Sequence, residues 1–76
     1  MELNFFAQKI REQFVEDNAD SIEVSLDFRT LETWDSLTGM AILSVIKDDF
    51  GVDIPVADFR ELNTIEDLFE YVKNKQ

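Results

Sequence analysis

The sequence predicts an all-α domain, a four-helix bundle of three longer helices and one short one with a long first loop. Three observations carry that prediction. Apolar residues recur at helical spacing near both ends of the chain. A third stretch is bracketed by an aspartate–serine pair and a glycine, the punctuation of a helix with defined ends. The one segment with strand-like alternation has no equally good partner, and a lone strand leaves its backbone groups unpaired.

The first element carries Leu3, Phe6, Ile10 and Phe14 on one face, with Ala7 beside them and Gln8, Lys9, Arg11, Glu12 and Gln13 opposite. That pattern predicts an amphipathic helix from Leu3 to about Val15. Ile22, Val24, Leu26 and Phe28 then alternate with a period of two. Taken alone they read as a strand; in this context they predict an extended loop pressing alternate side chains into a helical core. Asp35 and Ser36 form an N-cap pair before a helix running to about Phe50. Gly51 stops that helix, and Pro55 prevents its continuation. Ala57 to Glu61 predicts a single short turn with Phe59 and Leu62 inward. Thr64 caps the last helix, with Asp67 placed as a capping-box acid. Ile65, Leu68, Phe69 and Val72 give it an apolar face, and Lys73 and Lys75 suit its negative end.

At 76 residues the chain is expected to make one domain, residues 1–76, with one small core. Its 45% hydrophobic content is that of a globular protein, which argues against wholesale disorder. No apolar run approaches a membrane span and no charged-then-apolar leader is visible, so the expected location is the cytoplasm. The chain has no cysteine and no histidine, which removes disulfides and the usual ligands of zinc and iron. Seven basic residues against 17 acidic ones leave a net charge of −10. Nucleic acid is disfavoured by that sign, because its phosphates need a basic footprint. Basic patches on partner proteins are favoured, although acidity also simply keeps a small domain soluble.

Ser36 is the residue that bears on function. A serine at a helix start, with no histidine in the chain to activate it, is a poor nucleophile in an accessible place, suited to modification by another enzyme. A helix N-terminus also tolerates an anionic substituent well. The plain alternative for Asp35 and Ser36 is N-capping alone; for Leu37 and Met40 it is core packing.

Context narrows the choice. The stretch LETWDSLTGMAILSVIKDDFGVDIP, Leu31 to Pro55, places the serine on a helix start, closes the helix with Phe50-Gly51, and continues Val-Asp-Ile-Pro. In this it resembles the acyl carrier protein family, which includes peptidyl and aminoacyl carriers. The resemblance covers essentially the whole length and is strongest at Trp34-Asp35-Ser36-Leu37 and at Phe50 to Pro55. It implies a non-catalytic protein whose Ser36 receives a 4′-phosphopantetheine arm from coenzyme A and carries acyl or aminoacyl groups as thioesters. It implies as partners a phosphopantetheinyl transferase, which supplies the missing base, and the enzymes that load and process the cargo. Asp35 would cap the helix or help position metal-bearing coenzyme A, and Leu37 would anchor the transferase. Trp34, Leu37, Thr38, Met40, Ala41, Asp48 and Ile54 would form the surface that meets partners. A monomer is the default expectation.

The chain also departs from the family pattern. Housekeeping fatty-acid carriers have an acid-rich second helix, whereas here the outward positions are Thr38, Ala41, Ser44 and Lys47, with acids only at Asp48 and Asp49. Glu32-Thr33-Trp34 replaces a small glycine-containing turn; Trp34 would either meet a partner or pack half-buried against Phe28. These departures point to a dedicated carrier in a specialised acyl, polyketide-like or aminoacyl pathway. The remaining acids (Glu16, Asp17, Asp20, Glu23, Asp27, Asp53, Asp58, Glu61, Glu66, Asp67, Glu70) read as solvated surface. Neither Asp17 to Phe28 nor Asp48 to Phe59 has the acid spacing and central glycine of an EF-hand. The competing reading is an acidic helical interaction module that binds a basic protein without modification. An enzyme ranks third, since so short a chain without histidine or cysteine leaves little room for a pocket.

Overall fold

The computed structural model describes residues 2–14 and 22–76. Its elements are α1 (Leu3–Arg11), a 3-10 turn (Phe28–Thr30), α2 (Ser36–Phe50), the single-turn α3 (Val56–Phe59) and α4 (Ile65–Lys75). No strand occurs among the described residues. Among the described residues no helix is long and apolar enough to cross a membrane.

α1 packs against both α2 and α4. Phe6, Ala7 and Ile10 of α1 meet Ile42 and Ile46 of α2 and Ile65, Leu68 and Val72 of α4 in one core. All eight are fully buried, as the spacing of the apolar positions requires. The helix proper in α1 is shorter than its pattern suggests. After Arg11 the chain tightens, with Gln13 N–H bonding the Ile10 carbonyl and Phe14 N–H the Arg11 carbonyl, each at 3.0 Å. That tightening keeps Phe14 in the core while the helix ends. Val15, the expected helix end, lies outside the described residues, as do Glu16, Asp17 and Asp20 and the first part of the Asp17 to Phe28 stretch.

The alternating segment is a loop. Ile22 and Phe28 are buried, and Val24 and Leu26 pack partly buried against the core. Its backbone finds partners outside any sheet: Glu66 N–H donates to the Val24 carbonyl at 3.1 Å and Phe28 N–H to the Asn63 carbonyl at 3.0 Å. The period of two thus reports alternate burial, with the α4 entrance supplying the bonds a second strand would have made.

α2 ends where Gly51 turns left-handed, at φ 72°, with its N–H on the Lys47 carbonyl at 3.1 Å. α3 begins at Val56, one residue earlier than the spacing suggests, because Pro55 at φ −60° sets its N-cap; residues 60 and 61 form a turn rather than helix. Phe59 is buried and Leu62 partly so. At α4 the capping box is complete. Thr64 Oγ1 accepts from Asp67 N–H at 3.0 Å, and Asp67 Oδ2 accepts from Thr64 N–H at 3.3 Å.

Candidate functional site

Ser36 is the first residue of α2 and is exposed. The cap beneath it is built by its neighbours. Asp35 Oδ1 accepts from Thr38 N–H at 2.8 Å and from the Thr38 hydroxyl at 3.1 Å. The Ser36 hydroxyl takes no part, so Asp35 caps alone and the expected aspartate–serine pair divides its labour. The Thr38 N–H bond, followed by the Thr38 hydroxyl, holds the Asp35 carboxyl below its ordinary range. A carboxylate stabilised in its charged form is a weaker base. Asp35 is therefore poorly suited to take the serine's proton, and the chain has no histidine to do so.

Around Ser36 the surface is apolar. Leu37 is 73% exposed and Met40 65%, so both lie outside the core, and core packing does not account for them. Val56 of α3, which sequence reading did not single out, is 58% exposed. Between these residues runs a groove of about 300 Å³ lined by Ser36, Gly39, Met40 and Leu43 of α2, by Val56, Phe59 and Arg60, and by Arg29 and Trp34. A second groove, sharing Met40, Leu43 and Val56, carries it on to Lys47 and Asp53. Ile54, expected on the partner surface, is only 4% exposed and belongs to the core, meeting solvent at the wall of this second groove. It sits one residue before the proline that starts α3, where the chain must turn back onto the bundle. Thr38 is engaged in the cap, and Ala41 and Asp48 lie round the helix toward α1, in a groove shared with Gln13 and Asp49.

Trp34 forms the back wall. Its ring lies 5.1 Å from Phe28, 6.1 Å from Phe14 and 6.4 Å from Phe59. It is half-buried, which is the packing role. Gly39 lets α2 approach this wall: a Cβ there would come within 3.3 Å of Phe59 and 3.4 Å of Trp34. Arg29 was also missed from sequence. Its guanidinium lies 4.8 Å from the Phe59 ring centre and 5.2 Å from that of Trp34. Nη2 donates to the carbonyls of Phe59 at 2.6 Å and Leu62 at 3.0 Å, and Nε to Asn63 Oδ1 at 3.1 Å. It thus ties the end of α3 to the loop before α2. The only sequence signal was an arginine directly after a buried phenylalanine, which is too common to read.

The arrangement offers an exposed hydroxyl without a base, at a helix N-terminus, beside an apolar groove edged by two arginines. Among the described residues no cluster of three acids, histidines or cysteines is placed to hold a metal ion. The family model described as "Phosphopantetheine attachment site" matches residues 6–72. The chain belongs to this phosphopantetheine-attachment family. It is 31% identical over 72 residues to proteins named "Acyl carrier protein" from Rickettsia canadensis (strain McKiel), Rickettsia rickettsii (strain Iowa) and Rickettsia typhi (strain ATCC VR-144 / Wilmington). In each case the match covers 91% of this chain and 84% of the relative. No solved structure matches significantly. The cofactor of this family is 4′-phosphopantetheine, held covalently. The residues fit it, because an accessible hydroxyl and an acid-free, arginine-edged groove meet at one point.

Proposed function

We propose that Ser36 is the attachment point and that the chain carries acyl or aminoacyl groups to biosynthetic enzymes in the cytoplasm, as a single monomeric carrier domain without catalysis of its own. The observation that carries this is the division of labour at the start of α2: Asp35 and Thr38 make the cap, leaving an exposed serine hydroxyl uncommitted. A phosphopantetheinyl transferase supplies both coenzyme A and the base. When bound, the arm provides a terminal thiol that holds the cargo as a thioester. Ser36 fixes the arm's origin, and the free N–H groups of the first turn favour the phosphodiester's negative charge. Asp35 fixes the first turn's geometry.

Partners are read through Leu37, Met40 and Val56, which make an apolar rim around the serine, with exposed Ser44 and Lys47 farther along α2. Such a rim favours enzymes with an apolar docking face over those that rely on charge steering. It supports a dedicated carrier of a specialised acyl, polyketide-like or aminoacyl pathway. Family membership favours the carrier over an unmodified acidic module. The test is the intact mass after incubation with coenzyme A and a broad-specificity transferase. The expected gain is about 340 Da, absent from Ser36→Ala. No gain in a folded wild-type sample with several transferases would return Ser36 to ordinary surface.

A further inference from the structure

The oxidisable side chains divide between core and surface. The chain has no cysteine and two methionines, Met1 and Met40. Phenylalanine, isoleucine, leucine, valine and alanine fill the core, and no methionine is buried among the described residues. Met40 is instead 65% exposed on α2, about one helical turn beyond Ser36, and shares the apolar rim with Leu37 and Val56. It lines both the groove that begins at Ser36 and the one that continues to Lys47, so its thioether is reached from two sides. Oxidation of a thioether follows its exposure. Trp34 and Tyr71 are less open, the first half-buried against Phe28 and the second bonded to Asp58.

We propose that Met40 is a site of reversible oxidation by peroxides, and that its sulfoxide closes the rim around Ser36 to the transferase. The proposal rests on Ser36 as the attachment point and on the rim as the surface the transferase reads. In the reaction the thioether sulfur attacks the terminal oxygen of a hydroperoxide. The O–O bond breaks as an S–O bond forms. The sulfur gives up two electrons, the proton of the transferred oxygen moves to the departing one, and the peroxide leaves as an alcohol or as water. A flexible apolar side chain becomes a polar one. An apolar partner face brings no donor for the new oxygen, so docking strips it of water without replacing the bond. Neither the Asp35–Thr38 cap nor the core includes Met40, so oxidation alters docking while the fold stays intact. The exposure that admits a peroxide also admits a methionine sulfoxide reductase, which returns the thioether.

The test uses the apo protein, because the arm's own thiol is a second oxidisable sulfur. Wild type and Met40→Leu are treated with hydrogen peroxide, quenched, and given coenzyme A and a transferase, each compared with its own untreated rate. Peptide mapping is expected to show a gain of about 16 Da, one oxygen, on the Met40 fragment. In oxidised wild type the KM for the apo carrier is expected to rise by about five- to fiftyfold, within the range for burying an unpaired polar group. The kcat and the melting temperature are expected to stay unchanged. Reductases for both sulfoxide epimers should restore the KM, and treated Met40→Leu should keep its untreated value. Full oxidation of Met40 with KM unmoved would overturn the proposal. So would an equal loss in Met40→Leu, which would place the damage at another residue, or a melting temperature that falls in step with the loss. A Met40 left reduced under conditions that oxidise free methionine would overturn it as well. Untreated protein that gains no arm would instead remove Ser36 as the attachment point, and the effect on loading with it.

Discussion

Replacing Arg29 by methionine tests whether α3 stands beside the serine for the reason given. Arg29 reaches three acceptors on the far side of the groove: the Phe59 and Leu62 carbonyls and the Asn63 side chain. α3 is four residues long, too short to hold itself together, so these bonds carry much of its attachment. A hydrogen bond to a charged group contributes about 1.5–3 kcal/mol, and a partly exposed cation–π contact about 0.5–1 kcal/mol. The carbonyls released by the substitution are partly accessible, and water recovers some of the loss. The net expectation is about 2–3 kcal/mol, against a total of roughly 4–11 kcal/mol for a domain of this size. At about 4–8 °C per kcal/mol, the melting temperature falls by roughly 8–24 °C. Urea denaturation followed by far-ultraviolet circular dichroism gives the free energy, and amide resonances of residues 59–63 locate the change. Arg29→Lys is expected to recover less than half of the loss, because an ammonium cannot reach three acceptors as a planar fork does. An Arg29→Met protein within about 0.5 kcal/mol of wild type, the range of ordinary surface changes, would mean that Arg29 does not hold α3 in place.

Gly51→Ala is expected to cost about 1–2 kcal/mol in a denaturant titration, since φ is 72° there although the space around it is open. A neutral result would mean that the end of α2 relaxes freely. Asp35→Asn keeps an acceptor but loses the charge. Because the folded-state pKa of Asp35 is depressed, its contribution is fully present above 3.8 and fades as pH falls through the lowered value. The gap in stability between wild type and Asp35→Asn should therefore close on acidification, and a gap constant from pH 7 downward would contradict the cap. Tyr71 Oη donates to Asp58 Oδ2 at 2.6 Å, joining α4 to α3, and this bond raises the phenol above 10.0. Phenolate absorbance should titrate at higher pH in wild type than in Asp58→Asn, and the tie should be lost as pH rises through the raised value. Identical titration curves would dismiss the tie.

What could be read in advance was local. The α4 cap needed only Thr64, Asp67 and the apolar residues after them; the α2 stop needed only Gly51. Both are set by interactions within a few residues. The loop from Ile22 to Phe28 was legible for a related reason, since a period of two with no pairing partner leaves alternate burial as its meaning. The rest depended on residues distant in sequence. Arg29 meets acceptors about 30 positions away and more, from Phe59 to Asn63. Ile54 is drawn inward by the return of the chain into α3, and Gly39 matters only because Trp34 and Phe59 converge on it. At the site, the serine and the capping aspartate were visible as neighbours in the sequence, whereas the part of Thr38 in the cap and the groove beside them belong to the fold.

One particular hydroxyl, that of Ser36, is proposed to carry the arm. The chain offers Ser25 and Ser44 as alternatives among its described residues, and Ser44 lies exposed on the same helix. Fragmenting the converted protein in the mass spectrometer distinguishes them. The added mass of about 340 Da is expected on fragments containing Ser36 and on none that lack it. The same mass on a fragment bearing Ser44 without Ser36 would rule out Ser36 as the attachment point.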